Sequence, residues 1–142
     1  MTVVDANVLI YAIDEDSLRH RPARAWLEAA LSQKEMIGLA WIVALAFLRL
    51  TTKIGLSAKP LSIEQALDLL DEWLNHPNVS ILHPGPRHCQ ILRTLLLHTG
   101  SAGNMTSDAH LAALAIEHGA QLCSFDNDFA RFPGLRWIQP SS

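Results

Sequence analysis

Short apolar runs alternate with longer amphipathic stretches along this chain. Residues 2–4 and 8–13 are rich in β-branched and other apolar side chains, with a polar interruption at residues 5–7, and they predict a strand buried on both faces. Residues 17–32 carry apolar side chains three and four positions apart, which predicts a helix. Further strands are expected at residues 36–40, 79–82, 121–124 and 136–138, and further helices at residues 41–52, 62–74, 87–98 and 106–118.

The alternation of strands with helical stretches predicts βαβ units, and hence an α/β sandwich with a mainly parallel sheet. We expect a single domain over residues 1–142, with Ser62 as a helix N-cap, Gly119 directly after a helix end, and loops at residues 55–60 and 100–103. Ligands in such folds bind beyond the carboxyl ends of the strands, so polar residues at that edge are the first candidates for a site.

Composition narrows the class of protein. With 49% hydrophobic and 18% charged residues, the chain of 142 residues is expected to fold around a sizeable core. No apolar run approaches the roughly 20 residues of a membrane span, and no basic signal segment opens the chain. A cytoplasmic protein without membrane contact is therefore expected, with Cys89 and Cys123 as reduced core residues. The net charge of −3 argues against broad, non-specific nucleic-acid binding.

Four aspartates stand at predicted strand and helix edges. Asp5 follows the first apolar run, Asp108 opens a predicted helix, and Asp126 and Asp128 follow the fourth predicted strand. Asp108 also heads the apolar stripe of its helix, where a lone acid would be costly to bury without a partner. Carboxylates are the ligands that Mg²⁺ and Mn²⁺ prefer, and an ion held in this way supports phosphodiester chemistry.

Each aspartate also has a purely structural explanation. Asp5 is suited to capping a turn, and Asp108 to complementing the positive end of a helix dipole. Asp126 and Asp128 are suited to an Asx turn and a helix N-cap before Phe129. The acids therefore suggest a metal site jointly, more than any one of them does alone.

Other chemistries have weaker support. The chain has neither an HExxH pair of histidines nor a GxSxG nucleophile turn, and it has no GxxxxGK[ST] phosphate loop. Most of its seven histidines are expected at the surface or at helix ends. A phosphoryl acceptor at Asp5 is a further alternative, but the segment lacks the DxDx[TV] order of aspartyl phosphatases.

Three segments together resemble the signature blocks of PIN-domain ribonucleases. They read VDANVLIY at residues 4–11, GNMTSDAHLAA at residues 103–113 and SFDNDF at residues 124–129. A Phe-Leu-Arg-Leu run at residues 47–50 is similar to one in a subgroup of VapC toxins, which belong to bacterial type II toxin–antitoxin modules. The resemblance extends along the whole chain in the expected order.

The resemblance implies a three-layer α/β/α sandwich with a mainly parallel central sheet of four to five strands. It also implies an endoribonuclease that uses Mg²⁺, with Mn²⁺ as a substitute, to cleave RNA. The implied assembly is a homodimer with a cognate VapB-like antitoxin bound over the active site. On the family's pattern, the catalytic metal ligands are Asp5, Asp108 and Asp126, with Asp128 as a fourth ligand, and the residues that support them by hydrogen bonds are Asn7, Asn104 and Ser124.

The chain departs from that pattern at Ala46, where many PIN domains carry a glutamate. Two interpretations follow: a site with one acid fewer that still holds one ion, or a catalytically weak or inactive PIN fold that binds RNA or a partner. Arg49 lies one turn further along and is expected on the buried side of its helix. It is a candidate for contact with the RNA or the acids, and a salt bridge to any nearby acid is the alternative.

An apolar surface for the antitoxin is expected on two of the predicted helices. Trp26, Leu27 and Leu31, together with residues 41–50, offer more apolar area than one face of a sheet needs. An ordinary core is the alternative for any one of these residues.

Overall fold

Five parallel strands form the centre of the molecule, which we describe from a computed structural model covering residues 1–54, 59–100 and 102–141. The strands are β1 (Thr2–Val4), β2 (Ile37–Ala40), β3 (Val79–Leu82), β4 (Gln121–Cys123) and β5 (Trp137–Ile138). The helices are α1 (Ala6–Ile13), α2 (His20–Ser32), α3 (Trp41–Thr52), α4 (Ile63–Leu74), α5 (His88–Thr99) and α6 (Thr106–Glu117). Short 3-10 turns span Gly103–Met105 and Asn127–Arg131.

The sheet has the order β3-β2-β1-β4-β5, and every neighbouring pair of strands is parallel. Strand β1 lies in the middle and is buried along its whole length, as the continuous apolar run predicts. Helices α1 to α4 pack pairwise into one group, and α5 packs against α6. The predicted α/β sandwich with a parallel sheet is thus confirmed.

The first helix corrects the sequence prediction. Residues 8–13 do not extend the first strand, because the chain turns at Asp5 and continues as α1. The Asp5 carboxylate accepts a hydrogen bond from the Ala6 N–H and caps the helix, and this local bond overrides the β preference of the valine and isoleucine residues that follow. The residues that α1 buries, Ala6, Val8, Leu9 and Ala12, follow helical spacing.

Most other predicted elements are confirmed to within a few residues. Helix α4 begins with a reciprocal capping box between Ser62 and Gln65, and Gly119 after α6 has a φ of +65°. Helix α2 begins at His20 and not at residue 17, because the Ser17 hydroxyl accepts from the Arg19 N–H in a turn before it.

Three further predictions concern the cysteines, the loops and membrane-spanning helices. Of the two cysteines, Cys123 is buried, whereas Cys89 is exposed on α5, so the prediction that both lie in the core is wrong for Cys89. The predicted loops at residues 55–60 and 100–103 fall partly outside the described residues, at positions 55–58 and 101. No helix among the described residues has both the length and the apolar character that a membrane crossing requires.

Candidate metal centre

The carboxyl ends of β1 and β4 meet at one edge of the sheet. Val4 pairs with Cys123 in parallel register, and the Asp5 N–H donates to the Cys123 carbonyl at 3.0 Å. The next residue of each strand, Asp5 and Ser124, therefore lies side by side with the other. Parallel pairing thus brings together two side chains that are 119 positions apart in sequence.

Asp5 accepts three hydrogen bonds. Its Oδ1 accepts from the Ala6 N–H at 2.7 Å, and its Oδ2 accepts from the Ser124 hydroxyl at 2.7 Å and from the Asn7 amide at 3.3 Å. Because both of its oxygens have donors from the protein, its orientation is fixed before any ligand binds.

Ser124 is the centre of this network and is fully buried. Besides donating to Asp5, its hydroxyl oxygen accepts from the Asn7 amide at 3.1 Å and from the Asp126 N–H at 3.0 Å. The Trp137 indole N–H donates to the Ser124 carbonyl at 2.9 Å, which ties the same residue to β5. Ser124 consequently links Asp5 to the loop that carries the next acids.

Three carboxylates converge beside this network. Asp126 caps the second 3-10 turn by accepting from the Asp128 N–H at 2.9 Å, and Asp108 lies in the first turn of α6. One carboxylate oxygen from each of Asp108, Asp126 and Asp128 lies within 4.8 Å of the others. Asp5 is not one of the residues that meet this distance.

The donor set fits a hard divalent cation. In an octahedral site with Mg²⁺–oxygen distances of about 2.1 Å, adjacent ligands lie about 3.0 Å apart and opposite ligands about 4.2 Å apart, so three oxygens within 4.8 Å of one another have to approach by up to about 1.8 Å to share one ion. Three carboxylates also supply the negative charge and the oxygen chemistry that Mg²⁺ and Mn²⁺ prefer over softer ligands.

Burial and the charges of neighbouring acids raise the pKa values of two of the aspartates. Partial burial raises the pKa of Asp108 to about 6, with further contributions from the charges of Asp126, Asp5 and Asp128. Burial also raises the pKa of Asp5, although the hydrogen bonds from Ser124 and Ala6 oppose that change. A cation at this position would remove the repulsion, which is a second property expected of a metal site.

A cavity of about 620 Å³ opens on the other side of Asp5. Ala46 lines it together with Asp5, so the position where many PIN domains carry a glutamate faces the space beside the first aspartate. Its wall includes the apolar side chains of Ile10 and Leu50, and three consecutive acidic residues, 14–16, also line it. Lys59 lines it as well, but the acids outnumber it, so the cavity combines apolar walls with an excess of negative charge.

Two predicted site residues lie apart from this geometry. The side chain of Asn104 falls outside the described part of the structure, so its role stays a prediction. Arg49 is exposed, so the prediction that it lies on the buried side of α3 is wrong. Within residues 1–54, 59–100 and 102–141, no ion pair or hydrogen bond to an acid involves Arg49.

A contact between two histidines, His88, which is buried, and His110, which is half-buried, was not foreseen from the sequence. The His88 Nε2 lies 2.9 Å from the His110 Nδ1, and the His88 Nδ1 lies 4.0 Å from a Glu117 oxygen. The expectation that the histidines lie at surfaces or helix ends is therefore incomplete, because His88 starts α5 yet is buried. Glu117 also accepts from the N–H groups of Gly85 and Arg87, so these contacts fasten α5 to α6.

The apolar surface expected for a partner is smaller than the sequence predicted. Leu27 belongs to the core and Trp26 and Leu31 are half-buried, so α2 offers little free apolar area. On α3, Trp41 and Leu45 are 45% and 57% exposed.

Comparisons with known proteins agree with this fold and identify the family. The sequence pattern of the PIN domain matches residues 2–135. The ribonuclease VapC37 of Mycobacterium tuberculosis is 47% identical over 140 residues, covering 99% of this chain and 97% of its own length. Ribonuclease VapC33 of the same organism is 40% identical over 140 residues, covering 99% and 98%.

Solved structures share the fold at lower identity. VapBC2 from Rickettsia felis, bound to a DNA fragment from its promoter, superposes with a TM-score of 0.71 at 21% identity, covering 99% of this chain and 98% of that one. Mycobacterium tuberculosis VapC20, a toxin that cleaves the sarcin-ricin loop, gives 0.69 at 18% identity, covering 96% and 99%. The chain belongs to the PIN-domain family, within its group of VapC ribonucleases.

Proposed function

We propose that this protein is a divalent-metal-dependent endoribonuclease and the toxin of a type II toxin–antitoxin pair. The observation that carries the proposal is the convergence of Asp108, Asp126 and Asp128 within 4.8 Å, beside a hydrogen-bonded Asp5. Full-length similarity to VapC ribonucleases supports RNA as the substrate. Mg²⁺ is the proposed ion, with Mn²⁺ as a substitute, because the ligands are carboxylates.

Each residue has a proposed role. Asp108, Asp126 and Asp128 hold the ion, while Asp5 faces it from the end of β1 as a further ligand or as an acceptor for a bound water. Ser124 and Asn7 keep Asp5 in position, and they fix the neighbouring loop by accepting hydrogen bonds from the N–H groups of Asp126 and Phe125, respectively. When bound, the metal supplies charge stabilisation at the scissile phosphate and lowers the pKa of a coordinated water.

The proposed assembly is a homodimer with a VapB-like antitoxin, acting in the cytoplasm where cellular RNA is translated. Structures of VapBC complexes among the relatives by fold support a partner of this kind. The cavity beside Asp5 suits a segment of such an antitoxin that is apolar and positively charged, because its walls are apolar and residues 14–16 add negative charge.

A second candidate function is a PIN fold that binds RNA or a partner without cleaving. Ala46 favours this alternative, since it removes an acid from the cavity wall beside Asp5. Calorimetric titration with Mn²⁺ separates the two functions: a metal-dependent nuclease binds the ion with heat exchange, whereas a binding module of this kind gives none.

The direct test is RNA cleavage by the purified protein in Mg²⁺, in Mn²⁺ and in EDTA. We expect cleavage only with metal, and a loss of about 100-fold or more for Asp5→Asn, because that change removes a negative charge facing the proposed ion. Asp71→Asn, which changes an exposed carboxylate on α4, serves as the matched control and should cleave like the wild type. Equal cleavage by Asp5→Asn and wild type would refute the role given to Asp5.

A further inference from the structure

Arg19 lies over two aromatic rings at the edge of the proposed active site, and we infer that it binds a phosphate of the RNA next to the one that is cleaved. The inference rests on the proposed ribonuclease function. The Arg19 Cζ is 5.2 Å from the centroid of the Phe125 ring and 5.8 Å from that of Tyr11. The two rings meet edge to face, with centroids 5.5 Å apart, and form a corner on which the guanidinium rests.

The rings belong to the same framework that positions the acids. Phe125 stands between Ser124 and Asp126, is buried, and donates its backbone N–H to the Asn7 side-chain oxygen at 3.2 Å. Tyr11 is on α1 and lines the cavity that Asp5 also lines. Arg19 is therefore held against two fixed residues of the site, although it comes from the turn before α2.

The charge of Arg19 is available to a ligand. The side chain is exposed, and none of the ion pairs among the described residues includes it. A guanidinium that stacks on a ring keeps its N–H groups, which lie in its own plane, free to donate. Its planar fork matches two phosphate oxygens, a geometry that the ammonium of a lysine does not offer.

A cation at the position of Arg19 offsets part of the negative charge that RNA meets at the site. RNA is a polyanion, whereas the chain has a net charge of −3 and collects four carboxylates near the proposed metal. A metal ion offsets the charge at one phosphate only, so neighbouring phosphates still meet a negative field. The two rings hold Arg19 at the rim by cation–π contacts, so its positive charge stays available to the RNA and is not paired with an acid.

The test measures binding of a fluorescent single-stranded RNA 12-mer of randomised sequence by anisotropy, in EDTA and over a range of KCl concentrations. Removing one phosphate contact should reduce the slope of log affinity against log salt by about 0.7. We expect this change, and several-fold weaker binding, for Arg19→Gln. The matched control is Arg21→Gln, which removes the same charge from an exposed residue in the first turn of α2 and should leave the slope unchanged.

Kinetics and a conservative variant separate binding from structural damage. Cleavage of the same RNA with Mg²⁺ should show a raised KM and a nearly unchanged kcat for Arg19→Gln, while Arg19→Lys should recover the salt slope and only part of the affinity. If the Gln variants of Arg19 and Arg21 have equal slopes and equal KM values, the inference is wrong. If the wild type neither binds nor cleaves RNA, the proposed function fails, and the inference fails with it.

Discussion

Asp5 and Asp108 differ in how the protein holds them, although both belong to the same acidic site. Asp5 receives hydrogen bonds from Ala6, Asn7 and Ser124 and is fixed by them. Within the described residues, no hydrogen bond reaches the Asp108 carboxylate. Burial and the neighbouring acids instead raise the pKa of Asp108 to about 6.

The difference suggests that the two aspartates have different roles in the site. The fold determines the position of Asp5 before any ligand binds, through hydrogen-bond donors that follow the ends of the adjacent strands β1 and β4. It leaves Asp108 to be neutralised by a proton or a cation, so the unfavourable free energy of burying its charge close to other acids is relieved when an ion binds. A site in which every carboxylate was hydrogen-bonded like Asp5 would gain less free energy on binding the metal. A site in which every carboxylate lacked such bonds, like Asp108, would not hold its ligands in a defined geometry.

The largest effect on this contrast should come from Ser124→Ala, which removes one of the three donors that fix Asp5. It also leaves the Asp126 N–H without its acceptor and removes one of the two acceptors of the Asn7 amide, at a fully buried position. We expect a loss of about 1–3 kcal/mol in the free energy of unfolding, measured by denaturant titration. Mn²⁺ affinity, measured by calorimetry, should fall by about 10- to 100-fold.

Ser80→Ala is the control for that experiment, because Ser80 lies in β3 and its side chain makes no hydrogen bond within the described residues. If Ser124→Ala destabilised the protein but bound Mn²⁺ like the wild type, the orientation of Asp5 would not matter for the metal. The contrast between the two aspartates would then concern folding alone.

The second prediction concerns Asp108 and pH. A carboxyl whose pKa is raised from about 4 to about 6 binds more protons in the folded state between those values, so metal-free stability should fall as pH rises through that window and stay level above it. The full shift corresponds to about 3 kcal/mol, and solvent screening of this half-exposed group reduces it to about 1–2 kcal/mol.

Asp108→Asn provides the measurement. In EDTA at pH 7.5 the variant should be more stable than the wild type by about 1–2 kcal/mol, and the difference should disappear near pH 4. Adding Mn²⁺ should stabilise the wild type and not the variant. A variant that is less stable than the wild type at pH 7.5 without metal would show that the charged Asp108 carboxylate does not destabilise the folded protein.

Much of the fold could be predicted because its signals are local. The bounds of α3 and β3 were predicted residue for residue, and the Ser62–Gln65 capping box marks the start of α4 in the sequence itself. The prediction failed at α1, where valine and isoleucine suggested a strand. There the decisive interaction is the cap from Asp5, a residue that already had a proposed role as a metal ligand.

The residues of the candidate site could be predicted from the sequence, but their geometry could not. The four aspartates could be identified as candidates because they stand at the ends of predicted strands and helices. Only tertiary packing determines that Asp128 comes within 4.8 Å of Asp108 whereas Asp5 does not. Arg19 was missed altogether. Its two ring partners are distant from each other in sequence, so no spacing within the chain marks that contact.

The smallest effect is predicted for Ala46→Glu, which tests whether the site has room for a further acid beside Asp5. Ala46→Glu introduces a carboxylate into the wall of the cavity beside Asp5, where about 620 Å³ of space is available. Because additional ligand charge strengthens binding of hard cations, Mn²⁺ affinity should increase by about three- to tenfold. In EDTA the same change should lower stability slightly, since a further negative charge then faces Asp5.

Leu45→Glu is the matched control, because Leu45 is the preceding residue of α3, is 57% exposed and does not line the cavity. The control adds the same charge to the same helix, so a general electrostatic effect would appear in both variants. A gain in affinity for Ala46→Glu alone would mean that the cavity side accepts a metal ligand that this chain lacks. Equal affinities in the two variants and the wild type would mean that the ion is held only by Asp108, Asp126 and Asp128, with Asp5 contributing orientation and charge from one side.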